Sequence, residues 1–246
     1  MKTQTPSLLA AAALLFCGSL MAQEAVLRKN LTERLPNLKI DEVSKSPIAG
    51  IYEVRHNGAE ILYSDEKGDY IFSGALIDAK TRSDLTEARI EKLLAVDFDK
   101  LPVKDAMTIK QGDGSRKMAV FVDPNCGYCK RFEKDLAQIK DVTIYTFLIP
   151  ILGPDSTTKS RDIWCNKEST KVWRAWMLDG VTPPKSMGTC DVAALDRNLE
   201  FSRKQRINGT PAMFFADGTR KPGALPGAQV EKLLVASSAA VAAKKQ

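Results

Sequence analysis

The chain has 246 residues, of which 44% are apolar, 27% charged and 7% aromatic, with fifteen Gly and twelve Pro, a composition that excludes fibrous and low-complexity classes. At roughly 100–200 residues per domain, that length holds one large domain or two small ones. The formal charge of +6 is modest, and basic residues come at most as adjacent pairs such as Arg116-Lys117, which argues against nucleic acid as a partner; a single histidine, His56, argues against multi-His metal sites and most His-based catalysis.

Residues 1–22 read as a secretory signal. Lys2 precedes an apolar run from Leu8 to Phe16, and Ala22 offers a small residue before the polar Gln23-Glu24. The apolar stretch falls short of the roughly 20 residues that span a bilayer. Cleavage after Ala22 removes Lys2 and no acid, lowering the formal charge to +5. It also removes Cys17 and leaves Cys126, Cys129, Cys165 and Cys190. An even cysteine count in an exported chain points to disulfide chemistry, with three possible pairings.

Val26 to Leu35 is a short helix ended by Pro36. From Gly50 to about Thr81 the pattern is β: Ile51 to His56 and Ala59 to Tyr63 flank Asn57-Gly58, a strong hairpin signal because both turn residues take positive φ. Asp69 to Phe72 and Ala75 to Asp78 are further strands. So small a domain, 23–82, has a marginal core alone, which makes self-association plausible. Ser83 to Glu87 starts a linker helix over 83–102 with an incomplete apolar stripe, closed by Leu101-Pro102.

From Val103 onward strands and helices alternate, which implies α/β layers and makes the whole chain α+β / α/β. Lys117 to Val122 is a nearly all-apolar strand buried on both faces. A helix begins within Cys126-Gly127-Tyr128-Cys129 and runs to about Lys140. Val142 to Leu148 is the next buried strand, and a largely helical stretch covers Asp155 to about Arg206. Ala212 to Phe215 is a strand, and a final helix covers Gln229 to Ala236. Gln111 to Ser115 is Gly-rich, but it lacks the lysine and helix of a phosphate loop and reads as a hairpin turn.

The chemistry concentrates in Cys126-Gly127-Tyr128-Cys129. The first cysteine lies beside unpaired backbone N–H groups and the positive helix end, which favour a thiolate. For a thiol so placed, a pKa lowered from about 8.5 to about 5 gains some 30-fold in thiolate at pH 7. A Brønsted slope near 0.45 over those roughly 3.5 units loses about 40-fold in intrinsic nucleophilicity, so the attack rate roughly breaks even. The net benefit is a better leaving group. Two other uses of the motif compete. A structural CxxC disulfide is a four-residue ring and easily reduced, and a zinc site would need a second pair, whereas Cys165 and Cys190 stand singly. Thr210-Pro211 before the strand Ala212 to Phe215 adds a candidate cis proline, since proline donates no ladder hydrogen bond.

Asp123-Pro124-Asn125-Cys126-Gly127-Tyr128-Cys129-Lys130, Ile163-Trp164-Cys165 and Gly209-Thr210-Pro211-Ala212 together resemble the signatures of the DsbC/DsbG family of periplasmic, thioredoxin-like disulfide isomerases. The resemblance covers the whole mature chain. It implies a C-terminal thioredoxin-like catalytic domain with a helical insertion over 103–246, and a small N-terminal α+β, cystatin-like dimerisation domain. It implies that Cys126 is the nucleophile, Cys129 the resolving thiol, and Gly127, Tyr128, Thr210 and Pro211 the active-site loops. Cys165 and Cys190 match that family's structural disulfide; closing 26 residues contributes roughly 3.5 kcal/mol by the chain-entropy relation. Expected partners are a second copy of the chain, misfolded disulfide-containing exported proteins and a membrane reductase of DsbD type, with no cofactor and no metal. A net thiol oxidase and a redox-independent holdase chaperone are the alternative functions.

Overall fold

The computed structural model describes residues 23–187 and 189–244; the signal expected over 1–22 lies outside the described residues. The chain divides into a unit that ends at Leu93 and one that begins at Leu94. No helix of the described residues is long and apolar enough to cross a membrane.

In the first unit, helix α1 (23–34) lies against a four-stranded antiparallel sheet, β1 (Ile40–Lys45), β2 (Ile51–His56), β3 (Glu60–Asp65) and β4 (Ile71–Phe72), in that order. Leu27 and Leu31, one turn apart on α1, are fully buried against Val43, Tyr52, Val54 and Leu62. The β2–β3 hairpin turns at Asn57 and Gly58, with φ of 47° and 92°. Strand β1 carries no period-2 signal. Its apolar residues Ile40 and Val43 stand three apart, and a register shift between Ile40 and Glu42 brings both onto the core side.

Two short strands, β5 (Ile77–Asp78) and β6 (Ser83–Asp84), form a ribbon before helix α2 (Leu85–Leu93). The Asp84 carboxylate caps α2, accepting from the Glu87 amide at 2.8 Å. The buried Thr86 hydroxyl lies 2.6 Å from the Tyr63 hydroxyl, and Arg89 pairs with Glu53 and Glu42, so α2 is packed onto the sheet of its own unit. Helix does not extend over the whole of 83–102. After Leu93 the chain opens, and Asp97 caps a separate short turn, Phe98–Lys100.

The second unit is built on a five-stranded sheet: β7 (Met107–Gln111), β8 (Arg116–Val122), β9 (Val142–Leu148), β10 (Ala212–Phe215) and β11 (Arg220–Pro222), ordered β11-β10-β8-β9-β7. Only β8 and β9 are parallel, and helix α3 (Gly127–Leu136) is their crossover. Side chains of β8 alternate between two cores. Met118, Val120 and Val122 meet Phe132 and Leu136 of α3, and Val230 and Leu234 of α7 (Gly227–Ala243). Ala119 and Phe121 face the other way, where Phe121 stacks on Phe147 with centroids 4.6 Å apart and α6 (Ala193–Lys204) covers them through Leu199 and Phe201.

A second expectation is corrected. The Gln111–Ser115 turn is not a hairpin, because β7 pairs with β9 rather than β8. A Cβ on Gly112 would collide with the Asp141 carboxylate, which explains its glycine. The stretch 155–206 is largely helical, as expected. It holds α4 (Pro154–Trp164), α5 (Ser169–Arg174), a π-helical turn (Ala175–Asp179) and α6, but 181–187 and 189–192 are irregular. Pro183 and Pro184 lack the N–H groups that would continue a helix there.

Candidate active site

Strand β8 ends at Val122, and Asp123, Pro124 and Asn125 deliver Cys126 to the N-cap of α3 with extended backbone, φ −73° and ψ 115°. The capping acceptor is the sulfur itself: the Cys129 amide donates to Cys126 Sγ at 3.3 Å. Cys126 Sγ in turn donates to the Thr210 carbonyl at 3.2 Å. Thr210-Pro211 is a cis peptide, and the Pro211 carbonyl accepts from the Gly223 amide. The fold therefore brings Cys126, Cys129, Thr210 and Pro211 together from positions far apart in the chain.

Both thiols are free, and their surroundings differ. Cys126 is 5% exposed and flanked by exposed Gly127 and Tyr128; Cys129 is 1% exposed and packed in the core beneath. Burial pushes the Cys129 thiol well above the ordinary cysteine range, because a thiolate there would lose its hydration. Cys126 is less open than a helix-start position suggests, since the Thr210 carbonyl covers one side of its sulfur.

Two features of the site carry no local sequence signal. Asp123 is fully buried, yet four donors converge on it: the amides of Asn125, Ile151 and Leu152 at 2.8, 2.8 and 3.0 Å, and the Ser156 hydroxyl at 2.7 Å. This carboxylate ties the loop before Cys126 to the loop after β9 and to the first turn of α4. Trp176, on the π-helical turn, donates from Nε1 to the Pro124 carbonyl at 2.6 Å and lies under Lys130 Nζ, 3.7 Å from the ring centroid. One turn beyond Cys129, buried Glu133 accepts from Trp173 Nε1 at 3.1 Å with Arg174 3.6 Å away; desolvation raises its carboxyl despite both partners.

Cys165 and Cys190 form a disulfide with Cα atoms 5.7 Å apart. That bond removes two of the four thiolates a zinc site would need. It joins the end of α4 to the irregular segment before α6, and the Trp164 indole reinforces the same junction by donating to the Asp191 carbonyl.

Comparison with known proteins agrees with this geometry. Residues 18–87 match the family model described as the disulfide bond isomerase protein N-terminal domain, and residues 103–237 match the thioredoxin-like domain. The chain is 45% identical over 212 residues to the probable thiol:disulfide interchange protein DsbC of Bordetella pertussis, covering 86% of this chain and 74% of the relative. It is 26% identical over 223 residues to the thiol:disulfide interchange protein DsbC of Escherichia coli K12, covering 89% and 90%. Among solved structures, a disulfide interchange protein from Neisseria gonorrhoeae superposes with a TM-score of 0.52 at 31% identity, over 56% of this chain and 98% of that one.

Proposed function

The chain belongs to the DsbC family of thiol:disulfide interchange proteins, and from that premise we propose that it is a periplasmic thiol-disulfide isomerase acting through Cys126. The observation that carries the reading is the reduced pair at the start of α3, with Cys126 as the capping sulfur and Cys129 one turn further in. In the proposed cycle the Cys126 thiolate attacks one sulfur of a wrong client disulfide. The client S–S bond breaks, a Cys126–client bond forms, and the other client sulfur leaves as a thiolate. That thiolate, or a third client cysteine, then attacks elsewhere and returns Cys126 as a thiolate, so no net oxidation occurs. If the client stalls, Cys129 attacks Cys126, the client leaves reduced and the pair becomes a disulfide. A membrane reductase of DsbD type restores the dithiol.

The domain reading follows the same lines: 23–82 for self-association, 83–102 as connector and 103–246 for catalysis, behind a signal over 1–22. Homodimerisation is supported by an apolar surface on the first unit, where Ile71, Phe72 and Ile77 are each about half exposed. Client holding is supported by exposed Tyr128 and Leu152 beside the Asp123 clamp. The test is recovery of activity by scrambled ribonuclease: wild type restores it, Cys126→Ser does not, and normal recovery with Cys126→Ser refutes the mechanism. Thiol titration of protein drawn from cells separates isomerase from oxidase, the former being mostly reduced.

A further inference from the structure

A row of cations runs from the candidate nucleophile along the open face of α3. Gly127, Lys130, Arg131 and Lys134 recur at helical spacing and line a cavity of about 530 Å³ with Trp176 and Asp179 of the π-helical turn, a volume typical of ligand sites. The cavity is built from side chains held in place. Its Trp176 is fixed by the bond to the Pro124 carbonyl, two residues from Cys126, and Lys130 Nζ sits over that ring. Arg131 lies over the Tyr128 ring at 5.0 Å. Among the described residues, Lys130, Arg131 and Lys134 have no carboxylate partner. Asp179 is the one acid lining the cavity, so its cations outnumber its acids.

Resting on the thiol-exchange reading, we propose that this groove is a specificity subsite that selects client segments with acidic side chains near the exchanging cysteine. The geometry sets the register. Lys130 to Lys134 lie about 6–12 Å along the helix from Cys126 at roughly 1.5 Å per residue. An extended client advances about 3.3 Å per residue, so client positions two to four from its cysteine come opposite the three cations. The chemical step is unchanged: the client S–S bond breaks, the Cys126–client bond forms and a client thiolate leaves. The groove adds charge complementarity during the approach and in the mixed disulfide.

The experiment uses the full mature chain and three mixed-disulfide peptides that differ only at positions two to four from cysteine, bearing Glu, Gln or Lys. At low salt the wild type should exchange the Glu peptide roughly tenfold faster than the Lys peptide, about 1.4 kcal/mol, and most of that difference should vanish in 0.5 M NaCl, where the screening length is only a few ångströms. The double substitution Arg131→Glu and Lys134→Glu, both on exposed side chains, should abolish or reverse the preference while the Gln peptide keeps its rate within about twofold. Equal rates for Glu and Lys peptides in the wild type, or a preference that survives the double substitution, overturns the inference. Failure of the wild type to exchange any peptide instead refutes thiol exchange itself.

Discussion

Asp123→Ala should cost more stability than its single position suggests. The carboxylate is fully buried, with Oδ1 accepting from the Asn125 amide and the Ser156 hydroxyl, and Oδ2 from the Ile151 and Leu152 amides. Alanine leaves four donors without an acceptor, at about 1–3 kcal/mol for each that stays dry. With water filling the vacated space and recovering roughly half, the net loss is about 3–5 kcal/mol, a large part of the 5–15 kcal/mol that holds an ordinary protein folded. Asp123→Asn should be nearly as damaging, because its NH₂ group would face two donors. Ser156→Ala removes one donor and leaves three bonds intact, so about 1 kcal/mol is expected. Urea unfolding followed by tryptophan fluorescence measures this cleanly. Trp164, Trp173 and Trp176 are the chain's three tryptophans, and all lie in the second unit. With a slope near 2 kcal/mol/M, the Asp123→Ala midpoint should fall by about 2 M and that of Ser156→Ala by about 0.5 M. Equal, small shifts for the two variants would refute the clamp.

Replacing both Cys165 and Cys190 by Ala should lower the stability of the second unit by up to about 3.5 kcal/mol, read by the same fluorescence, while leaving thiol exchange at Cys126 in place. Because burial raises the Cys129 thiol, release of a peptide from Cys126 by Cys129 should accelerate about tenfold per pH unit between pH 7 and 9; a flat profile would contradict that protonation state. Arg197 holds the buried Asp105 carboxyl below its ordinary value through two hydrogen bonds. A lowered folded value means that the unfolded chain binds the proton more readily, so this stability is present above about pH 4 and is lost as pH falls through the lowered value. Arg197→Ala should therefore move acid unfolding to higher pH, measured by circular dichroism.

The parts of the fold that were legible are those whose signal is local. Val142–Leu148 and Ala212–Phe215 have the bounds expected of them, because short runs of β-branched, aromatic and other apolar residues leave little choice. Helix α7 runs on to Ala243, past the expected end at Ala236, because that last stretch is rich in alanine, the strongest helix former. Strand β1 was hidden because its sheet face depends on a bulge. Asp123 and Trp176 were hidden for a different reason. Apart from the Asn125 amide, their bonding partners lie 28 to 52 positions away, so the sequence around them does not mark them as buried. Thr210, 84 positions from Cys126, was legible only through a second local signal, the proline before its strand.

That long-range scaffold bears on which reaction the site favours. An oxidase must let its second cysteine close the mixed disulfide quickly, whereas an isomerase needs the mixed disulfide to last while the client tries other pairings. Here the two sulfurs stand three positions apart in the chain and both are buried, but at different depths. Cys126 caps the helix beside exposed Gly127 and Tyr128, while Cys129 is sealed among core side chains that keep it protonated. Resolution must wait for a rare thiolate, and its rarity follows from the same packing of β8, α3 and α7 that holds the domain together. In the proposed cycle, the burial of Cys129 sets how long a client has to find its native bond.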